Sequence, residues 1–228
     1  MHAESIPMHP MKFDTVIFDM DGLLIDSESL WFEAAVELFR KHGCEFSTEL
    51  YLTTIGMRSK EFLIWWFKYF NITRQDIDLV NQELIDSVIQ KVRQKGKALP
   101  GVEHIFNYFI QRKFKMGIAT SSPLSLVDVV VEKLGIRDFL HAVTSAHELP
   151  LAKPHPQVYL NCAEMLQSSS SQCICFEDSF NGLIAVKAAG MKCIAVPSAH
   201  DSKDLRFHAA DLKISSLQNF NDLLLNRL

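Results

Sequence analysis

The sequence predicts an α/β fold, a doubly wound parallel sheet into which a small α-helical cap is inserted. Three observations predict it. After Pro100, short apolar runs alternate with segments of helical periodicity, which is the pattern of a parallel sheet covered by helices on both faces. Between the first apolar run and Pro100 the periodicity is helical throughout. Each strand pattern also ends in polar or charged residues, and open parallel sheets bind ligands beyond the carboxyl ends of their strands.

Residues 13–18 (FDTVIF) read as a buried strand. From Ser27 the stretch SLWFEAAVELFRKH turns helical and stops at Gly43. Residues 47–53, 59–70 and 75–95 read as three more helices, and GKALPGV marks a boundary with its Gly and Pro. Then follow helix 101–112, strand 114–119, helix 123–134, a strand near 140–144, helix 154–166 and strand 173–177. Helix 179–188, strand 191–196, the short run DLKI and a last helix near 216–224 complete the pattern. The expected organisation is a loose tail over 1–12, a core built from 13–26 and 98–228, and a cap over 27–97.

The composition is that of an ordinary soluble globular protein, with 228 residues, 48% of them hydrophobic and 22% charged. A net charge of −4 leaves no electrostatic footprint for nucleic acid or an anionic membrane. No apolar run reaches the length of a membrane span, and MHAESIPMHPMK lacks the apolar stretch of a signal peptide. The five cysteines are odd in number and sit mostly in apolar runs, so core thiols in a reducing, cytoplasmic setting are expected.

The chemistry concentrates in FDMDGLLIDSE, residues 18–28. Asp19 and Asp21 follow a buried strand, and Gly22 permits a sharp turn there. The fourth strand ends in Glu177-Asp178, so up to four carboxylates share the crevice. At an effective dielectric of 20 and about 5 Å, each like-charge pair costs roughly 3 kcal/mol. Such a cluster needs protons or a cation, and all-oxygen donors favour Mg²⁺ over zinc. Beside it, Thr120 and Ser121 end the second strand. Ser122 reads as a helix N-cap with Pro123 as first helical residue, which turns a helix N-terminus toward the crevice as a phosphate seat. Lys153 adds a positive charge. A metal, a lysine and a helix N-terminus next to a carboxylate nucleophile form a phosphoryl-transfer arrangement. Taken singly, Thr120-Ser121 also suits a plain turn, Lys153 a solvated loop, and Glu177-Asp178 a favourable helix start.

Three segments, FDMDGLLIDSESLW, KPHPQVYLNCAE and EDSFNGLIAVKAAGMKCIAVP, resemble the haloacid dehalogenase (HAD) superfamily of phosphatases. Within it they are most similar to the beta-phosphoglucomutase-like subfamily, and there to sugar phosphatases acting on 2-deoxyglucose 6-phosphate and hexitol phosphates. The resemblance implies a Rossmann-like core with a helical cap. It implies Asp19 as the nucleophile that becomes phosphorylated, Asp21 as general acid and then base, and Thr120 and Lys153 on the phosphoryl oxygens. It implies Mg²⁺ held by Asp19, the backbone carbonyl of Asp21 and Asp178, with Glu177 direct or through water. The implied substrate is a small hexose or hexitol phosphate, with no nucleic acid or membrane partner.

The resemblance leaves two rival activities. Sugar-phosphate mutases of this kind typically carry a cap His where this chain has Trp31. An indole donates one hydrogen bond but takes no proton at neutral pH, which favours hydrolysis. A non-catalytic relative that only binds a phosphometabolite would be free to lose Asp19, Asp21, Thr120, Lys153 or Asp178, and all five are present. Trp31 and Arg58, the latter in GMRSKE, are the candidate cap residues for specificity. Trp65 and Trp66 are adjacent and cannot share one helix face, so one is expected in the core and the other nearer an interface. His155, between two prolines, reads as a loop residue.

Overall fold

The computed structural model describes residues 12–73 and 76–228. The tail expected over 1–12 lies outside the described residues apart from Lys12, as does Gln75 at the start of the fourth expected helix. Six parallel strands form one sheet: β1 (Thr15–Phe18), β2 (Lys115–Thr120), β3 (Ala142–Ser145), β4 (Cys173–Glu177), β5 (Lys192–Ala195) and β6 (Leu212–Lys213). Their order is β3-β2-β1-β4-β5-β6. The chain winds outward from β1 in one direction, then returns to place β4 on the other side of β1. That reversal opens a crevice at the carboxyl end of β1, where a doubly wound sheet binds its ligand.

After β1 the chain forms an insertion whose described residues give α1 (Glu28–Lys41), α2 (Thr48–Leu52), α3 (Ser59–Tyr69) and α4 (Ile77–Lys95), before a further helix leads into β2. The two connections to this insertion run side by side. Asp26 N–H donates to the Lys97 carbonyl at 2.9 Å, and Leu99 N–H donates to the Leu24 carbonyl at 3.1 Å. The insertion has an aromatic centre in which Phe39 stacks on Phe46 at 4.7 Å and Trp66 meets Phe46 edge-on at 5.1 Å. Trp66 is buried while its neighbour Trp65 is 59% exposed, so the outer indole meets solvent and not an interface.

The other helices are α5 (Val102–Gln111), α6 (Leu124–Leu134), α7 (Gln157–Met165), α8 (Phe180–Ala188) and α9 (Asp222–Leu225). Strand alternation divides the core between the two faces of the sheet. Val16 and Phe18 of β1 and Ile174 and Phe176 of β4 join Phe106 and Phe109 of α5 on one face. Phe18 stacks between Phe106 and Phe176 at 5.2 and 5.4 Å. Ile17, Cys173, Cys175 and Cys193 join Val158 and Tyr159 of α7 on the other. The five cysteines are free thiols, four of them buried. No helix among the described residues is long and apolar enough to cross a membrane.

Two local expectations need correction. The helix after β2 begins at Leu124, with Pro123 as the extended N-cap residue (ψ 151°). Ser122 does not cap it, because its hydroxyl donates to Asp21 Oδ2 at 2.6 Å instead. The last helix, expected as one element over 216–224, is divided into a short 3₁₀ turn at Leu217–Asn219 and α9. Asn221 causes the division, since its side-chain oxygen accepts from the N–H groups of Leu223 and Leu224 and starts a new helix there.

Candidate active site

The carboxyl ends of β1, β2 and β4 and the inserted helices enclose one chamber. Asp19, Asp21, Thr120, Ser121, Lys153 and Asp178 all line it. Asp19 continues the parity of Ile17, and Glu177 that of Cys173 and Cys175, so both carboxyls project on the side of the sheet that carries α7. Asp19 N–H donates to the Phe176 carbonyl at 3.0 Å and extends the β1–β4 pairing up to the site.

Lys153 binds this cluster together. Its three N–H groups are shared among four acceptors, with Nζ 2.6 Å from Asp19 Oδ1 and from Glu177 Oε1, 3.0 Å from the Ala119 carbonyl and 3.2 Å from the Tyr159 hydroxyl. The peptide bond from Lys153 to Pro154 is cis. Burial works against the ammonium charge, but Asp19 and Glu177 outweigh it and raise Lys153 above the ordinary lysine range. Burial pushes Asp19 up to about 8; Lys153 opposes that rise, while Glu177 and Asp21 add to it.

Glu177 has little capacity left for a ligand. Tyr159 O–H donates to its Oε1 at 2.5 Å, beside Lys153, and Ser179 donates to Oε2 through N–H at 3.2 Å and through its hydroxyl at 3.1 Å. Its role in this arrangement is to hold Lys153. Asp178 is the opposite case: its Oδ1 is buried without any hydrogen-bond partner among the described residues. Burial pushes Asp178 well above the ordinary carboxylate range, and Asp19 and Glu177 push it further.

A hard dication fits these residues. Asp19, Glu177 and Asp178 each present an oxygen within 4.8 Å of the others, and among the described residues Lys153 alone pairs with them. The partnerless Asp178 Oδ1 is a ready donor to a metal, and the donor set is all oxygen. Glycine at 22 is required by this closeness. With φ at +73°, a Cβ there would stand 2.2 Å from Asp178 Oδ2. At Gly182, a Cβ would stand 1.8 Å from Glu177 Oε1.

The Asp21 side chain stands apart from the three-carboxylate cluster. Ser27 Oγ and Trp31 Nε1 donate to its Oδ1 at 2.6 and 3.2 Å, and Ser122 Oγ donates to its Oδ2 at 2.6 Å. Trp31, proposed from the sequence as a specificity residue, is therefore bonded to Asp21 as well as lining the chamber. Thr120 Oγ1 accepts from Ser122 N–H at 3.1 Å, and Ser121 Oγ is buried with no partner among the described residues.

Arg58, the other candidate cap residue, is placed differently from Trp31. It does not line the chamber. Its guanidinium pairs with Glu61 and donates to the carbonyls of Ala146, at 3.1 Å, and Leu149. The backbone is the reason: Arg58 is the N-cap residue of α3, and its side chain reaches across to the loop after β3. It latches the insertion to the sheet.

Sequence reasoning missed Ser27, Glu28, Tyr51, Ser59 and Tyr159. Glu28 lines the chamber and accepts from the Tyr51 hydroxyl at 2.8 Å. Burial pushes it up to about 7; the Tyr51 hydrogen bond opposes this, and Asp21 and Asp26 add to it. The available signal was spacing, since Glu28 and Trp31 sit three apart at the start of one helix, on one face.

Comparison with known proteins agrees with this architecture. The pattern of the family described as haloacid dehalogenase-like hydrolase matches residues 16–196. Hexitol phosphatase B of Escherichia coli (strain K12) is 38% identical over 212 residues, covering 91% of this chain and 94% of that one. The phosphorylated carbohydrates phosphatase of Thermotoga maritima is 27% identical over 194 residues, 84% of this chain and 89% of its own. Among solved structures, a beta-phosphoglucomutase from Clostridium difficile superposes with a TM-score of 0.82 at 22% identity, over 94% of this chain and 96% of that chain. At that identity the likeness concerns the fold. With the family pattern spanning β1 to the end of β5 and the strand ends arranged as described, the chain belongs to the haloacid dehalogenase-like hydrolases.

Proposed function

We propose that the protein is a Mg²⁺-dependent phosphatase that hydrolyses small sugar or sugar-alcohol phosphate monoesters through a phosphoaspartyl intermediate. The observation that carries this reading is the division among the carboxyls. Asp19 lies buried against Lys153 at 2.6 Å, while Asp21 is held separately by three donors. One carboxylate is arranged as a nucleophile and the other as an acid and base.

In the first step Asp19 attacks phosphorus and the ester P–O bond breaks, with Asp21 giving its proton to the departing alkoxide. In the second, Asp21 takes a proton from water, which attacks the phosphorus of phospho-Asp19 and frees both phosphate and the Asp19 carboxylate. Lys153 stays between Asp19 and Glu177 and neutralises phosphoryl charge, with Ser121 Oγ free to donate to a phosphoryl oxygen. Asp19, Asp178 and the backbone carbonyl of Asp21 would hold Mg²⁺, with Glu177 in support. The ion supplies Lewis-acid stabilisation of charge on the phosphoryl group.

The sugar or polyol tail is brought to this chain by its relatives named for hexitol phosphates and phosphorylated carbohydrates. Trp31 favours hydrolysis over a mutase, since its indole donates to Asp21 and takes no proton at neutral pH. The test is phosphate release from p-nitrophenyl phosphate and from hexose and hexitol phosphates, with Mg²⁺ and with EDTA. Magnesium-dependent release that Asp19→Asn abolishes supports the reading. Full turnover in a verified metal-free preparation, or isomerisation of β-glucose 1-phosphate faster than its hydrolysis, would overturn it.

A further inference from the structure

Among the described residues, the wall of the chamber contributed by the inserted helices contains no cation. Among the described residues lining the chamber, Lys153 is the one positively charged side chain, and Asp19 and Glu177 hold it at the strand ends. Arg58, the cation adjacent to this wall in sequence, faces Glu61 and the carbonyls of Ala146 and Leu149. The wall presents the apolar surfaces of Trp31, Phe62 and Leu84. Of the polar side chains in it, Tyr51 donates to Glu28, and Thr54 is held by the Tyr51 carbonyl and the Trp66 indole, which leaves Ser59 and Glu28 with capacity for a ligand. Ser59 Oγ is buried with no partner among the described residues, its residue only 7% exposed. Glu28 accepts the Tyr51 hydroxyl on Oε2, and its Oε1 takes no hydrogen bond among the described residues.

We propose that this wall selects phosphomonoesters with an uncharged, hydroxyl-bearing tail and rejects those with a second anion, and that Glu28 and Ser59 are the specificity-determining residues that bind the tail hydroxyls. The inference rests on the phosphatase reading above and adds the chemistry of the tail. A hydroxyl donates to the open oxygen of Glu28 and either donates to or accepts from Ser59, so a polyol satisfies both groups. A tail without hydroxyls leaves the buried Ser59 hydroxyl and the open Glu28 oxygen unpaired, and sites built to bind hydroxyls discriminate strongly against that loss. A second phosphate or a carboxylate fares worse. It leaves water for an apolar wall that holds a carboxyl group and no partner cation. The same lack disfavours retention of a bisphosphate, the intermediate a sugar-phosphate mutase must keep.

The probes are sorbitol 6-phosphate and 6-phosphogluconate, equal in chain length and different only at C1, where a hydroxymethyl group stands against a carboxylate. The expected kcat/KM favours sorbitol 6-phosphate by about 100-fold or more. Glu28→Gln keeps the shape and removes the charge, and it should narrow that ratio by about tenfold. p-Nitrophenyl phosphate separates the two levels of the argument. If it is hydrolysed and 6-phosphogluconate is turned over as well as sorbitol 6-phosphate, the tail selection is wrong while the phosphatase stands. If the ratio is large but unchanged by Glu28→Gln, Glu28 does not select the tail. If none of the three esters is hydrolysed, the phosphatase reading fails, and this inference fails with it.

Discussion

The indole Nε1 of Trp31 donates to Oδ1 of Asp21 at 3.2 Å, which ties the first inserted helix to the loop beyond β1. The group proposed as acid and base is thus oriented partly from the insertion. Trp31→Phe keeps the apolar ring and deletes the donor. Ser27 and Ser122 still hold Asp21, so the loss is partial, about 1 kcal/mol or roughly fivefold. It should appear in kcat more than in KM, in steady-state kinetics with a hexitol phosphate. An unchanged kcat would mean that the indole only fills space.

Asp178 offers a direct test of metal binding that does not depend on turnover. Three carboxyls clustered around one ammonium are relieved by a cation, and a ligand that binds the native state raises its melting temperature. Millimolar Mg²⁺ should raise the Tm of the wild type, and Asp178→Asn should abolish most of that rise. Calorimetry or dye-monitored melting checks it. An equal Mg²⁺ shift in the variant would remove Asp178 from the metal site.

Arg58 carries a conformational prediction. Its guanidinium spans from α3 to the carbonyls of Ala146 and Leu149 and is only 13% exposed. Arg58→Ala leaves those carbonyls short of a charged donor, a loss of about 1–3 kcal/mol. Hydrogen exchange should accelerate in the loop after β3 and at the start of α3, with a lower Tm. Unaltered exchange at both places would mean that the latch does not hold the insertion.

Asp211 lies away from the chamber and gives a pH prediction with a definite sign. Burial pushes its carboxyl up, but the Cys193 N–H, Lys187 and Lys192 outweigh that and hold it down at about 2, against an ordinary value of 3.8. A carboxyl depressed on folding stabilises the fold above its unfolded pKa, and that contribution is lost as the pH falls through the folded value. Asp211→Asn should therefore cost about 1 kcal/mol at neutral pH, with the difference from wild type closing between about pH 4 and pH 2. Denaturant melts across that range check it. A constant difference would show that the lost contacts are not charge-dependent.

The fold was largely legible because its signals are local. The run CICFE forms β4 over the expected residues, and the inserted helices follow their periodicity within a residue or two. The strand-end residues Asp19, Thr120 and Asp178, with Lys153 in the loop after β3, come together in the chamber for a topological reason: a parallel sheet brings its carboxyl ends together whatever lies between them. What escaped depends on contacts between distant segments. Tyr159 meets Glu177 and Lys153 only because α7 packs across β3 and β2. The contacts of Arg58, a candidate for specificity, were not legible because its carbonyl partners belong to a loop far along the chain. Ser122 was read as a helix cap because nothing local indicates that Asp21 takes its hydroxyl. Glu28 and Ser59 are unremarkable as letters, and only the closed chamber makes their open hydrogen-bonding capacity visible.

The central claim is that Asp19 forms a covalent phosphoenzyme, and the stereochemical course at phosphorus tests it most directly. Two successive in-line displacements, by Asp19 and then by water, return phosphorus to its starting configuration. A hexitol phosphate made chiral with oxygen isotopes and a thio substitution, hydrolysed in isotopically labelled water, reports the outcome in the released thiophosphate. The account predicts net retention, together with a loss of at least about 1000-fold in kcat for Asp19→Asn. Net inversion would mean a single attack by water, and would contradict Asp19 as the nucleophile.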